Sequence, residues 1–248
     1  LHSSKHEKKG KSETWVSGIR VHKPPISAVA EVLLGSNLES LDLSHNPTAF
    51  GEVSALADAL PKSKITSLCL SSCALKWQGA SRWARALSGT QLKTLGLERN
   101  DIGVQGVCAL VMAMPGWRNL TSLNLGRNSL GDTGVSALAG ALPFTSMTSL
   151  DLSDNNISSC GISILSHELP SLGGLTALDL SGNGLEHRGA FFLSDVLPHT
   201  SITNLKLKRP KLGGNGMGVL ARALPNTLLA EQAPRLWCFD LGDGAGRM

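Results

Sequence analysis

Residues 38–46, LESLDLSHN, are the first clear copy of the pattern L-x-x-L-x-L-x-x-N. Successive copies follow at spacings of 27, 27, 28, 27, 28 and 27 residues. These six further copies begin at Ile65, Leu92, Leu120, Met147, Leu175 and Ile202. Seven copies at so regular a period indicate a repeat architecture in which each copy forms one structural unit.

The ninth position of each copy lies where the predicted strand ends. It is asparagine in five copies, cysteine in the second and proline in the last. In chain order the residues are Asn46, Cys73, Asn100, Asn128, Asn155, Asn183 and Pro210. An asparagine side chain can bond turn backbone that parallel coils leave unpaired, so we expect these asparagines to do so.

The second half of each copy has helical periodicity, most plainly in residues 130–143, LGDTGVSALAGALP. Val135, Leu138 and Leu142 recur at helical spacing, and Pro143 stands where a helix should end. A glycine lies six residues after the ninth position in six of the seven copies, which suits a helix start that packs closely against the neighbouring coil. Each copy therefore predicts one strand followed by one helix.

The two ends of the chain depart from the repeat. Residues 1–13, LHSSKHEKKGKSE, have neither period nor apolar content and predict a disordered basic tail. Residues 14–37 keep the strand spacing and a short helical segment, which indicates an N-terminal half-repeat cap. Residues 38–230 hold the seven repeats, and residues 231–248 supply a C-terminal cap strand and tail. Caps are needed because an end coil exposes an apolar face and an unpaired strand edge.

About residues 14–241 resemble a known family of repeat proteins, and the resemblance is plainest in two of the copies. Residues 122–143 read SLNLGRNSLGDTGVSALAGALP, and residues 149–165 read SLDLSDNNISSCGISIL. They are similar to the repeats of NOD-like receptors, so the chain resembles leucine-rich repeat proteins of the ribonuclease-inhibitor-like subclass. The resemblance implies an α/β fold, a right-handed horseshoe solenoid with parallel strands on the concave face and helices on the convex face. It also implies a chain whose main use is to bind other proteins.

Positions three, five, seven and eight of each copy should face the concave side, away from the inward-pointing leucines. The charged side chains at these positions fall into three segments along the array. They are Arg99 and Arg127 in the middle, Asp151, Asp154 and Asp179 next, and Lys206, Lys208 and Arg209 at the C-terminal end. Such a surface suits a polar protein partner of mixed charge. The alternative is that these side chains only keep an exposed sheet in solution.

Three tryptophans are informative because large aromatic residues are scarce in this chain. Trp83 takes the place of Leu138 in its repeat, which predicts a core residue. Trp77 takes the place of Asp132, and Trp117 lies in a return loop between a helix and the next strand. Trp77 and Trp117 are therefore candidate partner contacts if exposed, and packing residues if they tuck beneath a loop.

The sequence offers no set of residues for catalysis, a metal or a cofactor. Residues 10–12, GKS, lack the earlier glycine, strand and helix of a phosphate-binding loop. Cys69 and Cys73 have no second Cys or His pair at metal spacing. No nucleophile with an oriented base emerges from the repeat columns. We therefore expect a chain that is not an enzyme and needs no cofactor or small-molecule substrate.

Composition narrows the class of protein further. The 248 residues are 42% hydrophobic and 17% charged. No stretch reaches the roughly 18 apolar residues of a membrane span. Five cysteines without paired spacing favour a reducing compartment, so we expect an intracellular, cytoplasmic protein. The lysines have no base-stacking aromatics beside them, which disfavours nucleic acid as a partner.

Two functions fit these observations. The first is a non-catalytic protein–protein interaction or scaffold module that belongs to a larger assembly. The second is a GTPase-activating protein of the Ran-activator type, whose repeats this chain also resembles and which needs no nucleophile of its own. That family usually carries a strongly acidic C-terminal tail, whereas residues 242–248 read GDGAGRM. The sequence therefore favours the first function.

Overall fold

A computed structural model describes residues 13–16, 19–22, 26–46, 56, 58–208 and 212–223. In these ranges, short strands alternate with helices along the chain. The strands are β1 Glu13–Val16, β2 Ile19–His22, β3 Ser40–Asp42, β4 Ser67–Cys69, β5 Thr94–Gly96, β6 Ser122–Asn124, β7 Ser149–Asp151, β8 Ala177–Asp179 and β9 Asn204–Lys206. The helices are α1 Ile26–Gly35, α2 Lys76–Ala86, α3 Gly103–Ala113, α4 Gly131–Ala139, α5 Ser159–Glu168, α6 Glu186–Val196 and α7 Gly213–Ala223.

All of these strands belong to one sheet, in the order β2-β1-β3-β4-β5-β6-β7-β8-β9. From β3 to β9 every neighbouring pair is parallel, and the central leucine of each strand faces the central leucine of the next. This constant register follows from the constant period, because each repeat returns to the same point one strand further along. The predicted solenoid of parallel strands and intervening helices is confirmed.

A short 3₁₀ turn follows the helix in four successive repeats, and a fifth such turn lies at Leu60–Lys62. The other four turns span Met114–Gly116, Leu142–Phe144, Leu169–Ser171 and Leu197–His199. In each turn a proline stands in the first or second position. Proline has no N–H for the helix ladder, so the α-helix ends before it and the chain returns to the sheet. The helix end predicted near Pro143 is confirmed.

The core lies between the sheet and the helices and runs along the whole array. Each strand from β3 to β8 points its central leucine inward, and the leucine two residues later is also buried. The helices complete the core with residues such as Val135 and Leu138. Trp83 is fully buried among them, as its place in the repeat predicts.

Four buried asparagines connect neighbouring repeats. The Oδ1 atom of Asn128 accepts hydrogen bonds from the backbone N–H groups of Asn100 at 2.9 Å and Ile102 at 3.3 Å. Its Nδ2 atom donates to the carbonyl oxygens of Leu97 at 2.9 Å and Leu125 at 3.0 Å. The same kind of bridge recurs at the ninth position of three further repeats, formed by Asn100, Asn155 and Asn183. The predicted role of these asparagines is confirmed.

Cys73 fills the asparagine position of the second copy and keeps the donor bond that the asparagines make to the preceding repeat. Its thiol is buried and donates to the carbonyl oxygen of Leu43 at 3.1 Å. Burial raises the pKa of the Cys73 thiol to about 12, so the group stays protonated at neutral pH. The sequence interpretation that Cys73 serves structure instead of a metal agrees with this environment.

The N-terminal segment differs from the parallel half-coil that the strand spacing suggested. β1 and β2 pair antiparallel, with Val16 opposite Ile19, and β1 lies antiparallel to β3 with Trp15 opposite Asp42. Only two residues separate β1 from β2, whereas a parallel crossover needs a dozen or more, so a hairpin is the connection that this length allows. The helix expected here is present as α1. The capping role of residues 14–37 stays a prediction, and the predicted tail, apart from Glu13, and the cap at 231–248 lie outside the described residues.

Candidate functional site

The candidate site is the strand face, by which we mean the side of the sheet opposite the buried leucines. The first and third residues of each strand from β3 to β9 are at least partly exposed on this face. Their positions repeat from strand to strand because the register is constant. One straight row therefore runs across the last four strands: Asn124, Asp151, Asp179 and Lys206.

The fifth-position carboxyl and amide groups are held by the backbone. Asp151 Oδ1 accepts a hydrogen bond from the N–H of Ser153 at 2.8 Å, and Asp179 Oδ1 accepts one from Ser181 at 2.9 Å. Asn124 does the same for Gly126 at 2.9 Å, and an equivalent bond joins Asp42 to Ser44. These bonds fix the side chains on the strand face. Sequence reasoning missed this role, although the recurrence of Asp or Asn at the strand end was a visible signal.

Among the described residues, three ion pairs join adjacent repeats on the strand face. Arg127 Nε lies 3.0 Å from Asp154 Oδ2 and 3.9 Å from Glu98 Oε1. The hydrogen bond and charge of Asp154 raise the pKa of Arg127 above its usual value, with smaller contributions from Glu98 and Asp151. Lys206 Nζ lies 3.6 Å from Asp179 Oδ2. The acidic and basic segments predicted from the columns therefore partly neutralise each other.

A depression of about 220 Å³ lies on the strand face across β6 to β9. Small side chains from the first strand position, such as Ser149 and Ala177, leave room above the sheet. The fifth-position row and the central leucines of β6, β7 and β8 form the rest of its lining. Of the site residues predicted from the sequence, the depression brings together Asp151, Asp179 and Lys206.

The other predicted charged residues lie outside this depression. Arg99 and Lys208 are exposed, and neither makes an ion pair with another described residue. Arg127 and Asp154 occupy the eighth position, where the backbone is left-handed with φ of 58° and 49°. Arg209 lies outside the described residues.

Glycine at the eighth position of one repeat makes room for the Arg127 ion pair. Gly182 has a φ of 71°, which is the left-handed region that favours glycine. The carboxylate of Asp154 occupies the space that a Cβ atom on Gly182 would need. Any larger residue at 182 would have to displace the carboxylate that binds Arg127.

The two candidate tryptophans have different environments. Trp117 is only 7% exposed, and its Nε1 donates to the carbonyl oxygen of Ala84 at 3.3 Å. Trp117 is therefore a packing residue and is not available to a partner, because its indole bonds the backbone of α2 in the preceding repeat. Trp77 is 47% exposed at the start of α2. Other large apolar side chains with high exposure on or beside the described helices are Val32, Leu34, Met112, Phe144, Ile164 and Phe191.

The described part of the chain holds neither a cluster of metal ligands nor a membrane-spanning helix. No group of three or more His, Cys, Asp or Glu side chains there could hold a metal ion. No helix among the same residues has both the length and the apolar character to cross a bilayer.

Comparison with known proteins identifies the repeat. The family model described as Leucine Rich repeat matches residues 118–139, 145–165 and 175–194. The leucine-rich repeat-containing protein LegL7 from Legionella pneumophila is similar in structure, with a TM-score of 0.60 and 25% sequence identity. The match covers 82% of this chain and 68% of LegL7. No curated protein matches the sequence.

Two other solved structures are more distant. Actin-binding site 2 of leiomodin-1 is 16% identical with a TM-score of 0.48, over 63% of this chain and 91% of that one. The TLR13 chain of a TLR13–ssRNA13 complex is 16% identical with a TM-score of 0.41, over 74% of this chain and 31% of that one. At such distances neither says anything about what this chain binds. The chain contains leucine-rich repeats, folded as a solenoid of alternating strands and helices.

Proposed function

We propose that this chain is a non-catalytic protein-recognition or scaffold module that binds a protein partner through its strand face. Leucine-rich repeat proteins in general bind protein partners. The main observation that supports the proposal is the depression across β6 to β9, whose lining includes one row of polar and charged side chains.

The rigidity of this face supports a binding role. The buried asparagines bond each strand end to the next repeat, and the fifth-position side chains are held by backbone N–H groups. A partner therefore meets side chains that are already positioned, so little conformational entropy is lost on binding. The mixed charge of the face suits a polar partner and sets its orientation.

Three finer features belong to the same proposal. The ribonuclease-inhibitor-like subclass is supported by helices of 9 to 11 residues in the repeats from α2 to α7. Membership of a larger assembly is supported by exposed apolar side chains beside the helices, such as Met112 and Phe144. A reducing compartment such as the cytoplasm is supported by Cys69, Cys73, Cys108 and Cys160, which are all free thiols. The GTPase-activating alternative has no support from the structure or from the comparisons.

Site-specific photo-cross-linking tests the proposal. A photoreactive amino acid replaces Lys208 on the strand face in one variant and Met112 on α3 in the other, each in the full chain. We expect a discrete protein adduct from position 208 that disappears when Lys206 is also changed to Glu. Adducts that form only from position 112 would contradict the proposal, because they would place the partner on the helical side.

A further inference from the structure

The depression across β6 to β9 has an excess of negative charge. Its lining contributes two carboxylates, from Asp151 and Asp179, against the one cation Lys206. Lys206 Nζ already lies 3.6 Å from Asp179 Oδ2. A group that enters the depression therefore meets a net negative surface, which favours a cation.

Asp151 is the carboxylate in this set that has no ion pair within 4 Å among the described residues. Its Oδ1 atom accepts the N–H of Ser153, which turns the carboxylate along the strand face and leaves Oδ2 available to a ligand. The residue is half-buried, so a cation bound there would be partly shielded from solvent. Such shielding strengthens a charge-assisted hydrogen bond.

We propose that the depression across β6 to β9 receives an arginine side chain of the partner protein, with its guanidinium on Asp151. This subsite rests on the proposed function of the strand face and names the chemistry of the group it recognises. The free volume of about 220 Å³ suits one long side chain and is too small for a folded segment.

Arginine fits this lining better than lysine does. Two serines of the same lining supply additional hydroxyl acceptors: Ser149 lies on β7, two residues before Asp151, and Ser122 lies opposite it on β6. A guanidinium presents five N–H donors in a plane, so it can bond a carboxylate and nearby hydroxyls together. An ammonium group has three donors, is more strongly hydrated and cannot make the same bidentate contact.

A peptide titration of the full chain tests the subsite. The probe is acetyl-Gly-Arg-Gly-amide, and its partners are the same peptide with lysine or with the uncharged citrulline. The dissociation constant is measured from NMR shifts of the backbone N–H groups of Ser153 and Ser181, which bond Asp151 and Asp179. We expect saturable shifts with the arginine peptide and at least about fivefold weaker binding of the citrulline peptide. A hydrogen bond from a charged donor is stronger than one from a neutral donor, and the difference corresponds to about this factor in the dissociation constant. The lysine peptide should fall between them.

The test variant is Asp151→Asn. Asparagine stands naturally at the same position of the previous strand, where Asn124 makes the same bond to backbone, so this change removes charge with little effect on the fold. The matched control is Asp42→Asn, which alters the equivalent position of β3, outside the depression. Binding of the arginine peptide should weaken at least about fivefold in the first variant and stay unchanged in the second.

Three results would overturn the subsite: no saturable shift, equal binding of the arginine and citrulline peptides, or equal losses in the two variants. Each of these leaves the proposed function open, because the photo-cross-link from position 208 does not depend on an arginine. Conversely, arginine binding at Asp151 together with adducts only from position 112 would refute the proposed function: the depression would bind arginine, but the partner would not supply it.

Discussion

At the scale of single residues, the ninth-position asparagines join each repeat to its neighbours. Asn128 bonds the backbone of the preceding repeat through both its oxygen and its nitrogen, and it is completely buried. Water cannot replace these bonds at a buried site, so the loss of the side chain leaves backbone groups without partners. The side chain is thus part of the contact between repeats as well as of its own turn.

We expect Asn128→Ala to lower the free energy of unfolding by about 2–4 kcal/mol, because it leaves several buried backbone groups without a hydrogen-bond partner. Chemical denaturation of the full chain measures the loss. Asn119→Ala is the control, because Asn119 is exposed and should change stability by no more than about 0.5 kcal/mol. Equal losses in the two variants would contradict the structural role of Asn128.

Gly182→Ala should lower the free energy of unfolding by about 1–2 kcal/mol, because Ala fits the left-handed region poorly. The new Cβ would also displace the Asp154 carboxylate from Arg127. Gly173→Ala is the control, since a Cβ at that position has no neighbour within 4 Å and its φ is not in the left-handed region. Comparable stability of the two variants by thermal denaturation would show that Gly182 is not required.

The Cys73 thiol predicts an alkaline dependence of stability. Its pKa is about 12 in the folded chain against an ordinary value of 9.0, so above pH 9 the unfolded chain releases this proton while the folded chain keeps it. The folded state then binds more protons, and its free energy of unfolding falls as pH rises from about 9 towards 12. Denaturation at pH 8.5 and 10.5 should show a smaller loss in Cys73→Ser, which keeps a hydroxyl donor and does not titrate. An equal loss in the two proteins would contradict this account.

Sequence alone predicted the ninth-position asparagines, because their role follows from a single column of the repeat. It did not predict that Arg127 bonds Asp154 or that Asp179 bonds Lys206. Each pair stands in one column of two adjacent copies, so opposite charges at the same position were the available signal. The burial of Trp117 had no comparable signal, since it depends on how the return loop packs over the carbonyl of Ala84.

At the scale of strands and helices, the leucine spacing decides which residues form the core. The two leucines of each strand copy point inward from a sheet whose register never slips. Whether two neighbouring strands run parallel or antiparallel was predictable only where a helix connects them. The two-residue link between β1 and β2 imposes a hairpin, which a pattern of alternating residues does not distinguish from a parallel strand.

Leu125→Ala should lower the free energy of unfolding by about 2–5 kcal/mol, because it leaves a cavity in a fully buried ladder. Each repeat is supported mainly by its neighbours, so the damage should weaken the whole array. Met112→Ala is the control, because this apolar side chain is 84% exposed and its truncation should lower the free energy of unfolding only slightly. A loss below about 1 kcal/mol for Leu125→Ala in urea denaturation would mean that Leu125 is not part of the core.

At the scale of the whole molecule, the proposed function depends on which side of the solenoid binds a protein. The strand face offers positioned polar groups and a depression, whereas the helical side offers exposed apolar side chains such as Trp77. The basic end of the strand face, Lys206 and Lys208, should contact an acidic part of the partner. Complementary charge at that contact raises the association rate more than it changes the fold.

The most direct test is the association rate of the partner isolated by photo-cross-linking, measured for two double variants. Lys206→Glu with Lys208→Glu reverses the charge of the basic end of the strand face, and Trp77→Ala with Met112→Ala removes apolar groups from the helical side. We predict that the first pair slows association at least about fivefold and weakens its dependence on salt, while the second pair leaves it unchanged. Unchanged association in the first pair, with a large loss of affinity in the second, would contradict recognition through the strand face.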